Sequence, residues 1–115
     1  MQYKIVKTDD PERGPWKVQT HGYTYMLSLP NGTEVLAYHW HPRSTVDWPH
    51  LHVGRVNLTC DALLTHKQHL ATGRVSVEEI VRYCLGDLGI PARRDNWSKL
   101  LGDSETRFKK WRTWA

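Results

Sequence analysis

At Val75 the spacing of apolar residues changes from every second position to about every 3.6, and this switch limits the folds open to the chain. Upstream, apolar and polar residues alternate as they do along strands. Downstream, Val77, Ile80, Val81, Cys84, Leu85 and Leu88 fall on one stripe of a helix. Strands first and helices later predict an α+β fold, because a parallel βαβ fold needs crossover helices early. The expected architecture is an N-terminal antiparallel sheet of three or more strands with C-terminal helices packed on one face. With 115 residues the chain has length for one core, so a single domain is expected. Its parts are a sheet over 1–60, a connecting segment over 61–74 and a helical part over 75–115.

The clearest strand signal is a hairpin over 22–41. GYTYMLSL and TEVLAYHWH flank Pro30-Asn31-Gly32, and Asn-Gly suits the positive φ values of a tight turn. Alternation puts Tyr23, Tyr25, Leu27 and Leu29 on one face. On the return strand Leu36, Tyr38 and Trp40 share one face, and Val35, Ala37, His39 and His41 share the other. Residues 3–7 read as a first strand, and residues 50–60 as a third long one. His50, His52, Gly54 and Val56 line one face of that strand; Leu51, Val53 and Arg55 line the other. Residues 61–72 fit either a short helix or a strand.

In the helical part, Ser76 and Glu79 form an S-x-x-E capping box. A helix is expected over 76–88, capped by Gly89 and stopped by Pro91. Asp95 can cap a shorter helix that ends at Gly102, and Asp103 or Ser104 a last one through Trp111.

Composition narrows the function. Hydrophobic residues at 39% exclude a disordered chain. No apolar run reaches the roughly 20 residues a membrane-crossing helix needs. The first residues carry acids and no apolar core of a signal peptide, so a cytoplasmic protein without a leader is expected. Cys60 and Cys84 lie far apart and read as free thiols. A net charge of +4 and a pI near 9.2 suit a nucleic-acid partner without demanding one. No Walker A, G-x-G-x-x-G, G-x-S-x-G or H-E-x-x-H motif is present.

The unusual feature is histidine. His39-Trp40-His41 and His50-Leu51-His52 are two His-x-His pairs within fourteen residues. On a strand, such a pair points to one face with about 6.6 Å between positions. On neighbouring strands, all four rings share a face. Two imidazoles in different protonation states supply an acid and a base near neutral pH. Alternatively, His39, His41, His50 and His52 form a zinc site. A half-exposed polar face without chemistry is the third reading. His66 and His69, three apart, could join the cluster but read as solvent-facing, and His21 as a turn residue.

Arg43 and Arg55 lie near the pairs in sequence and suit a phosphate or developing charge; surface arginines without such a role are the alternative. Trp40 and Trp48 flank the same loop and suit stacking on bases, or else are core or lid residues. In the tail FKKWRTWA, Lys109, Lys110 and Arg112 interleave with aromatics, which suits a phosphate backbone; an amphipathic last helix explains the same pattern.

The block from Tyr38 through Leu85 runs Y-H-W-H-P, a loop, P-H-L-H-V and a capped S-V-E-E-I-V helix. It resembles the TumE-type bacterial toxin family, with W-x-x-x-P-H-H-P and P-H-H-x-H segments followed by an E-E-V-L helix. The shared positions are His41, Pro42, Pro49, His50 and His52. The resemblance implies a toxin–antitoxin setting, RNA as target and an antitoxin protein as partner. The leading expectation is a metal-independent endoribonuclease. His50 and His52 would act as acid and base, assisted by His39 or His41, with Arg43 or Arg55 stabilising the phosphorane. A non-catalytic protein- or nucleic-acid-binding module and a histidine-rich metal-binding domain are the alternatives. An exposed hairpin edge also suits a homodimer.

Overall fold

In a computed structural model of the chain, residues 1–114 are described. Strands β1 (Gln2–Lys7), β2 (Trp16–Ser28), β3 (Glu34–Trp40), β4 (His50–Val53) and β5 (Leu70–Ala71) come first. Helices α1 (Val77–Leu85) and α2 (Trp97–Trp111) follow, so the class is α+β as expected. The strands form one sheet in the order β1-β2-β3-β4-β5, and every neighbouring pair is antiparallel. Among the described residues no helix is long and apolar enough to cross a membrane. The chain divides into two compact units, Met1–Arg74 with Trp114, and Val75–Thr113.

The hairpin turn differs from the tight form. Leu29 N–H donates to the Thr33 carbonyl at 2.8 Å, enclosing a three-residue loop, Pro30-Asn31-Gly32. Only Gly32 has positive φ, at 85°. Proline holds φ near −65°, so the loop is a β-turn followed by a left-handed glycine rather than a two-residue mirror turn. The register then sets Tyr23 against Trp40, Tyr25 against Tyr38 and Leu27 against Leu36. These six residues share the face the sequence assigned them.

That face builds an aromatic core within the first unit. Tyr23 and Trp40 are 1% and 2% exposed. Tyr23 stacks on Tyr25 at 4.7 Å, and Trp114 meets Trp40 edge-on at 5.6 Å. The Arg74 guanidinium lies 4.5 Å from the centre of the Trp40 ring, a cation–π contact. Trp40 is therefore an interior residue, and the expectation that it stacks on a base is corrected: no base reaches it.

β4, expected as a long strand over 50–60, is shorter than its alternation suggests. It ends at Val53, and Arg55–Asn57 form a 3₁₀ turn. Gly54 is the cause. A Cβ there would sit 2.0 Å from the Glu34 carbonyl oxygen, so the chain passes against the start of β3 and turns away. Gly54 N–H and the Asn57 side-chain amide both donate to the Val35 carbonyl, at 2.9 and 2.7 Å. Arg55 leaves the sheet as a result. His21, read as a turn residue, lies within β2.

In the second unit the capping box forms as expected. Ser76 Oγ accepts from Glu79 N–H at 3.2 Å, and Glu79 Oε2 accepts from Ser76 N–H at 2.6 Å. The regular helix ends at Leu85 with Gly86, earlier than expected, and the turn continues to Gly89 at φ 65°. Gly102 does not end a helix: α2 runs through it as one element. An interior glycine costs about 1 kcal/mol. The pair Lys99–Asp103 spans the glycine and offsets part of that cost. Between the helices, Ser104 Oγ–H donates to Glu78 Oε1 at 2.7 Å and Arg82 pairs with Glu105 at 3.0 Å.

Candidate metal centre

The face opposite the aromatic core carries the histidines. The β3–β4 register sets His39 against His50 and Ala37 against His52. The β4–β5 register sets His50 against Ala71, and its continuation brings His69 across from His52. The His52 and His69 rings are 4.6 Å apart, and His50 and His69 4.7 Å. One ligand nitrogen from each of His50, His52 and His69 lies within 4.8 Å of the other two. These three residues are close enough to hold a metal ion.

Backbone carbonyls fix which nitrogens are offered. His50 Nδ1 is 2.8 Å from the Trp48 carbonyl oxygen, and His52 Nδ1 is 3.3 Å from that of His66. A carbonyl only accepts, so Nδ1 carries the proton in both neutral rings. The lone pair is left on Nε2. Metal-ligating histidines are commonly oriented in this way, by donating the other ring N–H to a carbonyl or carboxylate. Burial is graded: His50 is 4% exposed, His52 half-buried and His69 exposed. The site is therefore closed at His50 and open at His69. Trp48 forms a wall, its ring 5.3 Å from His50 and 6.1 Å from His69.

The zinc grouping expected from sequence, His39, His41, His50 and His52, is thus corrected. His41 lies beyond the end of β3, where the β4 ladder has no residue to oppose it. Its Nε2 instead makes a 2.9 Å hydrogen bond with Thr24 Oγ1. His69 takes the place. It is exposed, as expected, but it faces the cluster. A two-residue strand is too short to show a period, so alternation did not point to it.

His39 stands beside the triad, 5.2 Å from the His52 ring and 5.5 Å from His50. Burial holds its pKa below the usual histidine value, and His52, His50 and His41 lower it further. His69 is lowered by desolvation and then by His52 and His50. Arg55 Nε–H donates to His66 Nδ1 at 3.1 Å, and after desolvation this cation keeps the His66 pKa low. Arg55 thus reaches the triad only through His66, whose carbonyl orients His52. Arg43 sits with His41 at a separate cavity.

In the tail, Lys109 pairs with Glu105, and Lys110 lies 4.4 Å from the centre of the Trp111 ring. Arg112 caps α2, its N–H donating to the Phe108 carbonyl at 2.6 Å. Comparison with protein-family profiles, curated proteins and solved structures gives no match.

Proposed function

We propose that the protein is a small metal-dependent hydrolase whose centre is His50, His52 and His69. The observation that carries this reading is the triad of ligand nitrogens with two rings pre-oriented by carbonyls. Neutral imidazole suits Zn²⁺ and similar divalent transition metals. Three protein ligands and an open side are the pattern of catalytic rather than structural zinc, which takes four. Zinc–nitrogen bonds are about 2.0–2.1 Å, so loading draws the nitrogens inward, and exposed His69 has the room to move. When bound, the ion would supply a Lewis acid and activate water near neutral pH. His39 is positioned as the neighbouring base, and Trp48 limits access on one side.

The metal-free reading uses the same histidines as acid and base on RNA. His39, held neutral beside His50 and His52, favours it as a base. The engagement of Arg55 with His66 weakens it, because that guanidinium is then turned to a histidine rather than to a phosphorane. The resemblance to TumE-type toxins makes RNA the first substrate to try, with an antitoxin as the partner that setting implies.

The test is metal analysis of protein purified without a histidine tag, followed by hydrolysis assays with and without EDTA. One tightly bound equivalent, lost in His50→Ala and His69→Ala, is the expected result. Less than about half an equivalent after reconstitution overturns the metal reading. RNA cleavage that survives EDTA and needs His50 and His52 favours the metal-free one.

A further inference from the structure

A second cluster of polar groups lies where the start of β1 faces the loop after β3. There the first unit has a cavity of about 380 Å³ lined by residues that include Gln2, Lys4, His21, His41, Arg43 and Ser44. That volume is within the range of small-molecule sites, roughly 300–1,000 Å³. No acidic side chain is among the lining residues. Lys4 comes from the edge strand and Arg43 from the loop, so two positive charges meet at one small space. Without an anion they repel; with one, both are balanced.

The surroundings are built to hold that arrangement. Ser44 N–H donates to the His41 carbonyl at 2.9 Å, and Ser44 Oγ–H to the Val46 carbonyl at 2.6 Å, which fixes the turn carrying Arg43. His41 is anchored to Thr24 through Nε2, and His21 Nε2–H donates to Gln19 Oε1 at 3.1 Å. Gly22 lies close to two of the lining side chains. A Cβ there would lie 2.7 Å from the Trp40 carbonyl oxygen, 3.4 Å from Gln2 Oε1 and 3.6 Å from His41 Nδ1.

We infer that this cavity binds a phosphate group. Two cations match a dianion. The forked guanidinium of Arg43 and the ammonium of Lys4 give charge-assisted hydrogen bonds to separate oxygens of one tetrahedral group. The cavity shares no residue with the metal triad and stands with or without it. The two are linked through His41, whose ring is 5.8 Å from that of His39.

The test is amide chemical-shift mapping of the full chain in EDTA, so that the triad plays no part. The probes are inorganic phosphate, a nucleoside monophosphate and the nucleoside without phosphate. Saturable shifts confined to residues 2–4, 21–24 and 41–44 are expected with both phosphates and not with the nucleoside. Tighter binding of the nucleotide identifies an ester as the ligand; equal binding identifies the free anion. Lys4→Gln and Arg43→Gln each weaken binding about tenfold, the loss of one charge-assisted hydrogen bond. Lys67→Gln makes the same charge change outside the cavity and leaves binding unchanged. Shifts that never saturate, equal binding of the nucleoside, or equal weakening by Lys67→Gln overturn the inference. A triad that takes no metal leaves this titration unaffected, so the two proposals fail separately.

Discussion

The His69 ring lies 4.6 Å from that of His52, although the two residues are separated by a turn-rich segment and joined only through a two-residue strand. The third ligand of the candidate centre thus depends on the shortest pairing in the sheet. The His50 and His52 rings each hydrogen-bond a backbone carbonyl, and His69 stands one residue before β5.

His69→Ala separates binding from folding. The side chain is exposed, and surface substitutions of this kind change stability by about 0.5 kcal/mol or less. Chemical denaturation of the metal-free variant is expected to match wild type. A zinc titration is expected to show at least tenfold weaker binding, since each ligand contributes more than about 1.4 kcal/mol. Equal zinc affinity in the variant removes His69 from the centre.

Ligand binding to the folded state alone raises stability by about 2.7 kcal/mol at a hundredfold excess over Kd. Adding Zn²⁺ to the metal-free protein is therefore expected to raise the melting temperature, and EDTA to reverse it. The same addition to His50→Ala is expected to leave the melt unchanged. A Zn²⁺-induced rise that persists in His50→Ala places the metal elsewhere.

Much of the sheet was legible because Tyr23, Tyr25, Tyr38 and Trp40 alternate over long strands, and a one-residue slip would turn them all to the other face. The shared face of His39, His50 and His52 followed from the same alternation. Gly54 was not legible as a strand end: the close approach of the Glu34 carbonyl is a tertiary fact. Nor was Gly102 legible as a helix interior, because its local pattern matches a cap although α2 continues through it. The roles of His41 and His69 were exchanged because register, which starts β4 at His50 and leaves His41 unopposed, cannot be read from either segment alone.

Continuity of α2 has its own test. A Cβ at Gly102 meets nothing within 4 Å, so alanine fits the helix without strain. Gly102→Ala is expected to stabilise the protein by about 0.4–1 kcal/mol through the smaller entropy of its unfolded chain. If the helix broke at this glycine, alanine would destabilise instead, and urea midpoints distinguish the two.

Trp40 and Trp48 separate core from site. Trp40 is 2% exposed and packs on Tyr23 and Trp114, so Trp40→Ala is expected to cost about 3–5 kcal/mol. Trp48 is 41% exposed, and its truncation is expected to cost far less while altering metal exchange at His50 and His69. Equal destabilisation by the two would contradict this division.

The last prediction concerns pH in the absence of metal. The folded pKa of His39 lies below its unfolded value of 6.5, first because of burial and then because of His52, His50 and His41. His69 and His66 are shifted the same way. A lowered folded value means that the unfolded chain takes up protons first as pH falls. Between the unfolded and folded pKa values the unfolded state binds more protons, so stability rises with pH there. The contribution is fully present above about pH 6.5 and is lost as pH falls through the folded values. Thermal melts in EDTA from pH 8 to 5 are expected to be flat at the alkaline end and to fall below the histidine range. His39→Gln removes one titrating ring and relieves repulsion on its neighbours, so its melting temperature is expected to fall less steeply. Bound Zn²⁺ steepens the wild-type loss, because protons compete for the nitrogens of His50, His52 and His69. A wild-type melting temperature that rises on acidification, or a His39→Gln profile parallel to it, shows that these rings are not held neutral by the fold.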